Sequence, residues 1–168
     1  RQDVSNMLDK VKQSNETVVS ELVPGLLSIG VIHRVLQKLL DEHVPIHDLP
    51  AILEVLSDYA SQTRDPVILC EFARQALKGH IISRFLGEDR TLYCITLDPR
   101  LEEEIQSSIS QGAGGGIMTL APERALEIIE SIRNVFNEAS SQSGTSHVVL
   151  LASPLIRLHL FRMIERKI

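Results

Sequence analysis

Residues 31–60 read VIHRVLQKLLDEHVPIHDLPAILEVLSDYA, two helical patterns separated by a turn. Apolar residues of the first pattern recur at helical spacing, at Val31, Ile32, Val35, Leu36, Leu39 and Leu40. The segment from Val44 to Pro50 ends this helix, and Asp48 is expected to cap the next one. Pro50 then falls just inside the new helix, where its missing N–H costs nothing. The second helix presents one apolar face, formed by Ile52, Leu53, Leu56 and Tyr59.

Helical spacing continues on both sides of this stretch, from Asp3 to about Leu86. Upstream, two short stripes occur, and Pro24-Gly25 interrupts the second of them. Downstream, the pattern predicts one long helix after Pro66, with inward residues Leu69, Phe72, Ala73, Ala76, Leu77, Ile81 and Phe85. Because each helix has one apolar face, residues 1–88 are predicted to form a small all-helical bundle.

From Arg90 onward, short apolar runs alternate with helical patterns. The runs span residues 92–97, 117–120 and 148–152, and each precedes a proline that suits the start of a helix. Asp98 and Ser153 are good caps for two of these helices. Strands joined through helices usually pair in parallel, so residues 89–168 are predicted to form a small α/β domain with a three-stranded, largely parallel sheet. A three-stranded sheet is marginal, which indicates that a final strand is missing downstream.

Composition excludes several partner classes. The net charge of −5 argues against nucleic acid, because phosphate binding needs a surplus of Lys and Arg. It argues equally against docking on an anionic membrane surface. No apolar run approaches the roughly 20 residues that a membrane helix needs. Cys70 and Cys94 lie in apolar stretches and are predicted to be two buried free thiols rather than a disulfide.

Three motifs that suggest chemistry are better explained structurally. The glycine run from Gly112 to Gly116 follows a helix and precedes a strand, the reverse of a phosphate-binding loop, so a flexible turn is predicted. His43 and His47 have a metal-ligand spacing, but Pro45 lies between them and breaks the helix. The carboxylates of residues 102–104 fan out around a helix and are interpreted as a solvated first turn. We therefore expect no catalytic residue, no metal site and no cofactor, and a protein that is not an enzyme.

Two classes of function remain after this exclusion. One is a protein-interaction scaffold. The other is a helix-turn-helix nucleic-acid-binding regulator with an α/β accessory domain, because two helices joined by a short turn have that layout. The second helix carries Glu54 and Asp58 and no Lys or Arg, so phosphates would repel it. The scaffold is therefore favoured.

The stretch from Val35 to Leu49, continued by residues 52–60, resembles the most recognisable segment of the FHIPEP family. Similar to this family are also Glu21-Leu22-Val23-Pro24, Arg64-Asp65-Pro66, Arg74-Gln75-Ala76-Leu77 and Thr96-Leu97-Asp98-Pro99. FHIPEP proteins are large inner-membrane export-gate proteins of flagellar and virulence type III secretion machines. The family often carries Arg at the position of His47.

The resemblance implies an organisation that composition does not show. Family members have an N-terminal membrane domain and a four-part cytoplasmic domain. Residues 1–88 would correspond to the helical third subdomain, and residues 89–168 to the α/β fourth, without its final strand. The implied partners are other copies in a ring, other export-apparatus proteins and chaperone–substrate complexes. The implied location is the cytoplasmic face of the bacterial inner membrane, with membrane contact only through the missing N-terminal domain.

The turn between the two helices of residues 31–60 is the candidate interaction site. It places apolar residues beside polar ones, and we expect Val44, Ile46, His47 and Asp48 to contact a partner or a neighbouring subunit. The alternative is that Val44, Ile46 and Leu49 only close the core of the bundle.

Overall fold

The computed structural model describes residues 1–87, 89–110, 116–144 and 147–165. The chain divides into two compact units, Arg1–Ser83 and the residues from Arg84 onward. Among the described residues, the first unit contains only helices, and the second combines helices with short strands. The mixed fold class predicted from the sequence is therefore confirmed.

Six helices and one irregular turn form the first unit in the described residues. The helices are α1 (Gln2–Lys12), α2 (Glu16–Glu21), α3 (Ile29–Asp41), α4 (Leu49–Tyr59), α5 (Pro66–Ala76) and α6 (Lys78–Ser83). The turn is a single π-helical segment, Leu22–Leu26, which contains a cis peptide bond between Val23 and Pro24.

The single long helix predicted after Pro66 is wrong. The chain leaves helical geometry at Leu77, where φ is −85° and ψ is 7°, and α6 follows as a separate helix. Gly79, near the start of α6, is a poor helix former, which favours a break between α5 and α6. Phe85, predicted to face inward, is 37% exposed.

The core of the first unit is formed mainly by α3, α4 and α5. Its largest fully buried side chains are Leu22, Leu27, Ile32, Leu39, Ile52, Leu53, Leu56, Leu69 and Leu77. Burying each such side chain stabilises the fold by roughly 1.5–3 kcal/mol. The rings of Tyr59 and Phe72 also stack, with centroids 3.7 Å apart, so α4 and α5 share an aromatic contact.

The second unit contains one parallel strand pair. β1 (Tyr93–Thr96) pairs with β4 (Val148–Leu151), in a register that places Ile95 opposite Leu150. Helices α7 (Pro99–Ser107), α8 (Pro122–Ser143) and α9 (Pro154–Ile164) follow the strands as the prolines predict. Asp98 and Ser153 cap α7 and α9 by accepting backbone N–H groups, at 2.8 and 3.4 Å respectively, so both predicted caps are confirmed.

The third predicted strand does not join this sheet. Ile117–Met118 (β3) pairs instead with Ile109–Ser110 (β2) in a separate antiparallel pair, so the described residues form two two-stranded sheets and not one of three strands. Directly after β3, the N–H of Thr119 donates to the carbonyl of Ser108, beside the end of α7, at 2.8 Å. The run at 117–120 therefore lies against the end of α7 and not against β1 or β4.

Gly116 is the residue that directly precedes β3. Its φ of 85° lies in the left-handed region, and a Cβ atom there would overlap the carbonyl oxygen of Ser110. Glycine is therefore required at the start of β3. The rest of the predicted flexible turn, residues 112–115, lies outside the described residues.

A small apolar core holds the helices of the second unit together. It consists of Ile105, Ile128, Ile132, Ile156 and Leu160. Ile95 on β1 is also buried, whereas its neighbour Cys94 is exposed. Adjacent residues of a strand point to opposite faces, so the predicted burial of Cys94 is wrong. Cys70, in the first unit, is buried and is not part of a disulfide, as predicted.

The carboxylate run on α7 has specific partners. Glu102 accepts a hydrogen bond from the backbone N–H of Ser153 at 2.9 Å. Arg124 on α8 donates to both carboxylate oxygens of Glu104, at 2.7 and 2.8 Å, and to Glu127 at 2.8 Å. The interpretation of residues 102–104 as a solvated first turn is therefore incomplete, because two of the three side chains also join α7 to α8 and to the start of α9. Hydrogen bonding to Arg124 lowers the pKa of Glu104.

Candidate interaction surface

The connection between α3 and α4 begins with a defined helix end. The N–H of His43 donates to the carbonyl of Leu40 at 2.9 Å, and the N–H of Val44 donates to Leu39 at 2.8 Å. His43 has a φ of 56°, in the left-handed region. Two such bonds around a left-handed residue are the Schellman motif, which satisfies carbonyls at the end of a helix. The turn after α3 therefore has a fixed backbone path.

Burial within the turn differs from residue to residue. Val44 is only 3% exposed and Leu39 is fully buried, the apolar contact that accompanies this kind of helix end. Leu49 is buried as well, and Ile46 is half-buried against the same core. Val44 and Leu49 therefore close the bundle core, and Ile46 does so in part.

The two polar residues of the predicted site have different surroundings. Asp48 is half-buried, and its Oδ1 accepts the backbone N–H of Ala51 at 3.3 Å, which confirms it as the cap of α4. His47 is exposed, and its ring contacts that of His80 on α6 edge to face, with centroids 4.8 Å apart. His47 is thus at the surface, whereas Val44 packs in the core and Asp48 caps α4.

An ion pair anchors this turn to α5. Nη1 of Arg74 lies 2.8 Å from Oε2 of Glu42, and the two side chains are 19% and 7% exposed. Glu42 is the C-cap residue that directly follows α3. The sequence reasoning missed this contact because the two residues are 32 positions apart and no local spacing relates them. One indirect indication of this contact was present in the sequence, since both residues lie in segments that resemble the same family.

Two further residues belong to this surface and were not predicted. Leu40, assigned from its spacing to the buried stripe of α3, is 50% exposed in the last turn of that helix. His80 is exposed beside His47. We define the α3–α4 surface as Leu40, Ile46, His47 and His80. No sequence signal marked His80, because its contact with His47 is long-range.

Two searches of the described residues bear on what this surface and its helices could do. Within the described ranges, no group of three or more His, Cys, Asp or Glu side chains could hold a metal ion. The same ranges contain no single helix that is long and apolar enough to cross a membrane. Only the bent pair Glu16–Leu26 and Ile29–Asp41 reaches that length and composition, across a bend of 110°.

Comparisons with known proteins give a consistent result. The sequence profile of the FHIPEP family matches residues 1–168. The chain is 34% identical over 166 residues to the flagellar biosynthesis protein FlhA of Bacillus subtilis, which covers 99% of this chain and 24% of that protein. The chain therefore spans about a quarter of the length of this relative.

Solved structures agree with the sequence comparison. The nonameric SctV-C of EPEC, determined by cryo-electron microscopy, is similar with a TM-score of 0.85 and 31% identity. The match covers 99% of this chain and 49% of that one. The CdsV protein of Chlamydia pneumoniae, solved in complex with CdsO, is similar with a TM-score of 0.82 and 29% identity. That match covers 99% of this chain and 48% of that one.

Proposed function

The chain belongs to the FHIPEP family, and we propose that it forms the third and fourth cytoplasmic subdomains of a bacterial export gate. Residues 1–88 are assigned to the helical third subdomain and residues 89–168 to the α/β fourth. A helical unit followed by a mixed unit supports this assignment. The proposed location is the cytoplasmic face of the inner membrane, with the membrane reached through a separate N-terminal domain.

The proposed role is a scaffold that contributes to ring assembly and to the docking of export substrates and their chaperones. The observation that carries it is similarity over 99% of this chain to the nonameric SctV-C, at a TM-score of 0.85. The CdsV–CdsO complex supports a second kind of contact, with another protein of the export apparatus. No catalytic step is part of this proposal.

The alternative of a helix-turn-helix nucleic-acid module is not favoured. Its recognition helix would be α4, on which Glu54 and Asp58 are exposed. Exposed carboxylates repel phosphates, and phosphate contacts supply most of the affinity of such modules.

Within this function we propose that the α3–α4 surface contacts a partner or a neighbouring subunit. Of the residues expected from the sequence, His47 and Ile46 would make the contact, while Val44 and Asp48 would hold its shape. Leu40, half-exposed in the last turn of α3, adds apolar area to this surface, and interfaces combine apolar groups with polar ones.

The test is the substitution His47→Glu in the full-length protein. We expect reduced export of secreted substrates or reduced ring assembly, because a carboxylate replaces an imidazole at the centre of the contact. Gln62→Glu, which adds the same charge at an exposed position of the same unit, is the matched control. Normal export and normal assembly in the His47→Glu protein would remove the interface from the proposal.

A further inference from the structure

His47 and His80 are 33 positions apart in the sequence, yet their rings are in contact. The centroids lie 4.8 Å apart and the ring planes are perpendicular. Both residues are exposed. Neutral imidazole is the commonest metal ligand in proteins, so an exposed pair of adjacent histidine rings is a chemically specific feature.

We propose that His47 and His80 form a two-histidine site for a divalent transition-metal ion of the class that prefers imidazole, namely Ni²⁺, Cu²⁺ or Zn²⁺. The site goes beyond the scaffold role and does not depend on it. It differs from the His43–His47 pair suggested by sequence spacing, because its second ligand comes from α6. Water would fill the remaining coordination positions, since no third His, Cys, Asp or Glu joins the pair among the described residues.

The separation of the rings fits such a cation. With metal–nitrogen bonds of about 2.0–2.1 Å and the ring nitrogen about 1.1 Å from the ring centre, each ring centre lies about 3.2 Å from the ion. Two rings are then about 4.5 Å apart at a bond angle of 90° and about 5.2 Å apart at the tetrahedral angle. The observed 4.8 Å lies between these two values.

The backbone on both sides of the site is fixed, and the side chains can rotate. His47 lies between the buried Val44 and the cap residue Asp48. On the other side, the carbonyl of His80 accepts a hydrogen bond from the Ser83 hydroxyl at 2.9 Å, within α6. Edge-to-face packing points one ring edge at the other ring's face, so ring rotation is needed to direct both nitrogens at one ion. Both side chains are exposed, and that rotation meets little resistance.

A bound ion would join the α3–α4 turn to α6. A ligand that binds the folded state and not the unfolded one stabilises the fold. Protons compete with the metal for imidazole nitrogen, so binding should weaken as the pH is lowered. A metal-dependent change in stability is therefore the first observable consequence.

The experiment is calorimetric titration of the 168-residue chain with NiCl₂, and separately with ZnCl₂, with MgCl₂ as the non-imidazole control. We expect one ion per chain, and affinity about tenfold or more weaker in each of His47→Gln and His80→Gln, because each variant keeps only one ligand. His147→Gln, an exposed histidine of the second unit, should bind like the unsubstituted chain. Thermal unfolding without metal checks that each variant folds.

An NMR measurement tests whether both histidines bind the same ion. Substoichiometric Ni²⁺ should broaden the imidazole NMR signals of His47 and His80 together. Equal binding in the unsubstituted chain and the two variants, broadening of one ring alone, or no binding at all would each overturn the site.

Discussion

The guanidinium of Arg74 in the last turn of α5 donates a 2.8 Å hydrogen bond to the carboxylate of Glu42, the C-cap residue of α3. Both side chains are largely removed from solvent. Through this contact α5 holds the start of the α3–α4 turn, so the two segments with family resemblance meet in space. Because both side chains are partly withdrawn from water, their attraction is screened less than that of an exposed ion pair.

Removing one member of this pair should destabilise the first unit. We expect Glu42→Ala or Arg74→Ala to cost about 2–3 kcal/mol of unfolding free energy, because each leaves a poorly solvated charge behind. Chemical denaturation of the single and double variants measures this. The double variant should lose less than the sum of the two single losses, and simple additivity would show that the charges do not interact.

Replacing His43 with glycine should give a more stable protein than replacing it with alanine. Both His43→Gly and His43→Ala remove the imidazole, but only alanine keeps a Cβ atom at a φ of 56°. We expect the glycine variant to be more stable than the alanine variant by about 1 kcal/mol. Equal thermal stability of the two would indicate that the turn relaxes to another backbone path.

Asp48 should act on stability mainly as a helix cap. Asp48→Ala should cost about 1 kcal/mol, because the N–H of Ala51 loses its acceptor, whereas Asp48→Asn keeps a capping oxygen and most of the stability. Denaturant unfolding curves distinguish the two variants. A loss of the same size in both would mean that the negative charge, and not the cap, is what matters.

The contact between Glu104 and Arg124 should make the second unit sensitive to acid. Arg124 lowers the folded-state pKa of Glu104 below its ordinary value of 4.5, so this contribution to stability is present above that pH and is lost as the pH falls through the folded pKa. An NMR titration should show the pKa of Glu104 rising in Arg124→Gln. It should stay low in Glu127→Gln, which leaves the two-point contact with Glu104 in place. No rise in Arg124→Gln would contradict the assigned cause.

Local signals in the sequence predicted much of this structure. The apolar spacing of residues 31–60 indicated two helices, and Asp48, Asp98 and Ser153 cap helices where the sequence placed the caps. These features depend on groups within about four residues of each other, so a short window of sequence contains their cause. The exposure of Cys94 could also have been predicted, because strand alternation points its side chain to the face opposite that of the buried Ile95.

Other predictions failed where pairing depends on distant residues. Two of the three apolar runs form the parallel pair, but the start of the run at 117–120 instead pairs with β2, the short strand that follows α7. The helix after Pro66 divides at Leu77, although its apolar spacing continues without a break. Periodicity reports which face of a segment is apolar, not which neighbour will cover it.

The sequence by itself determined the helical first part, the mixed second part, the capped turn at Val44–Leu49 and the family to which the chain belongs. The tertiary structure alone decided that Val44 is buried, that Glu42 meets Arg74 and that His47 meets His80. The physical reason is distance along the chain: the two contacts join residues more than 30 positions apart, and they exist only once α3, α4, α5 and α6 have packed together. The proposed metal site and the proposed α3–α4 contact surface both depend on that packing.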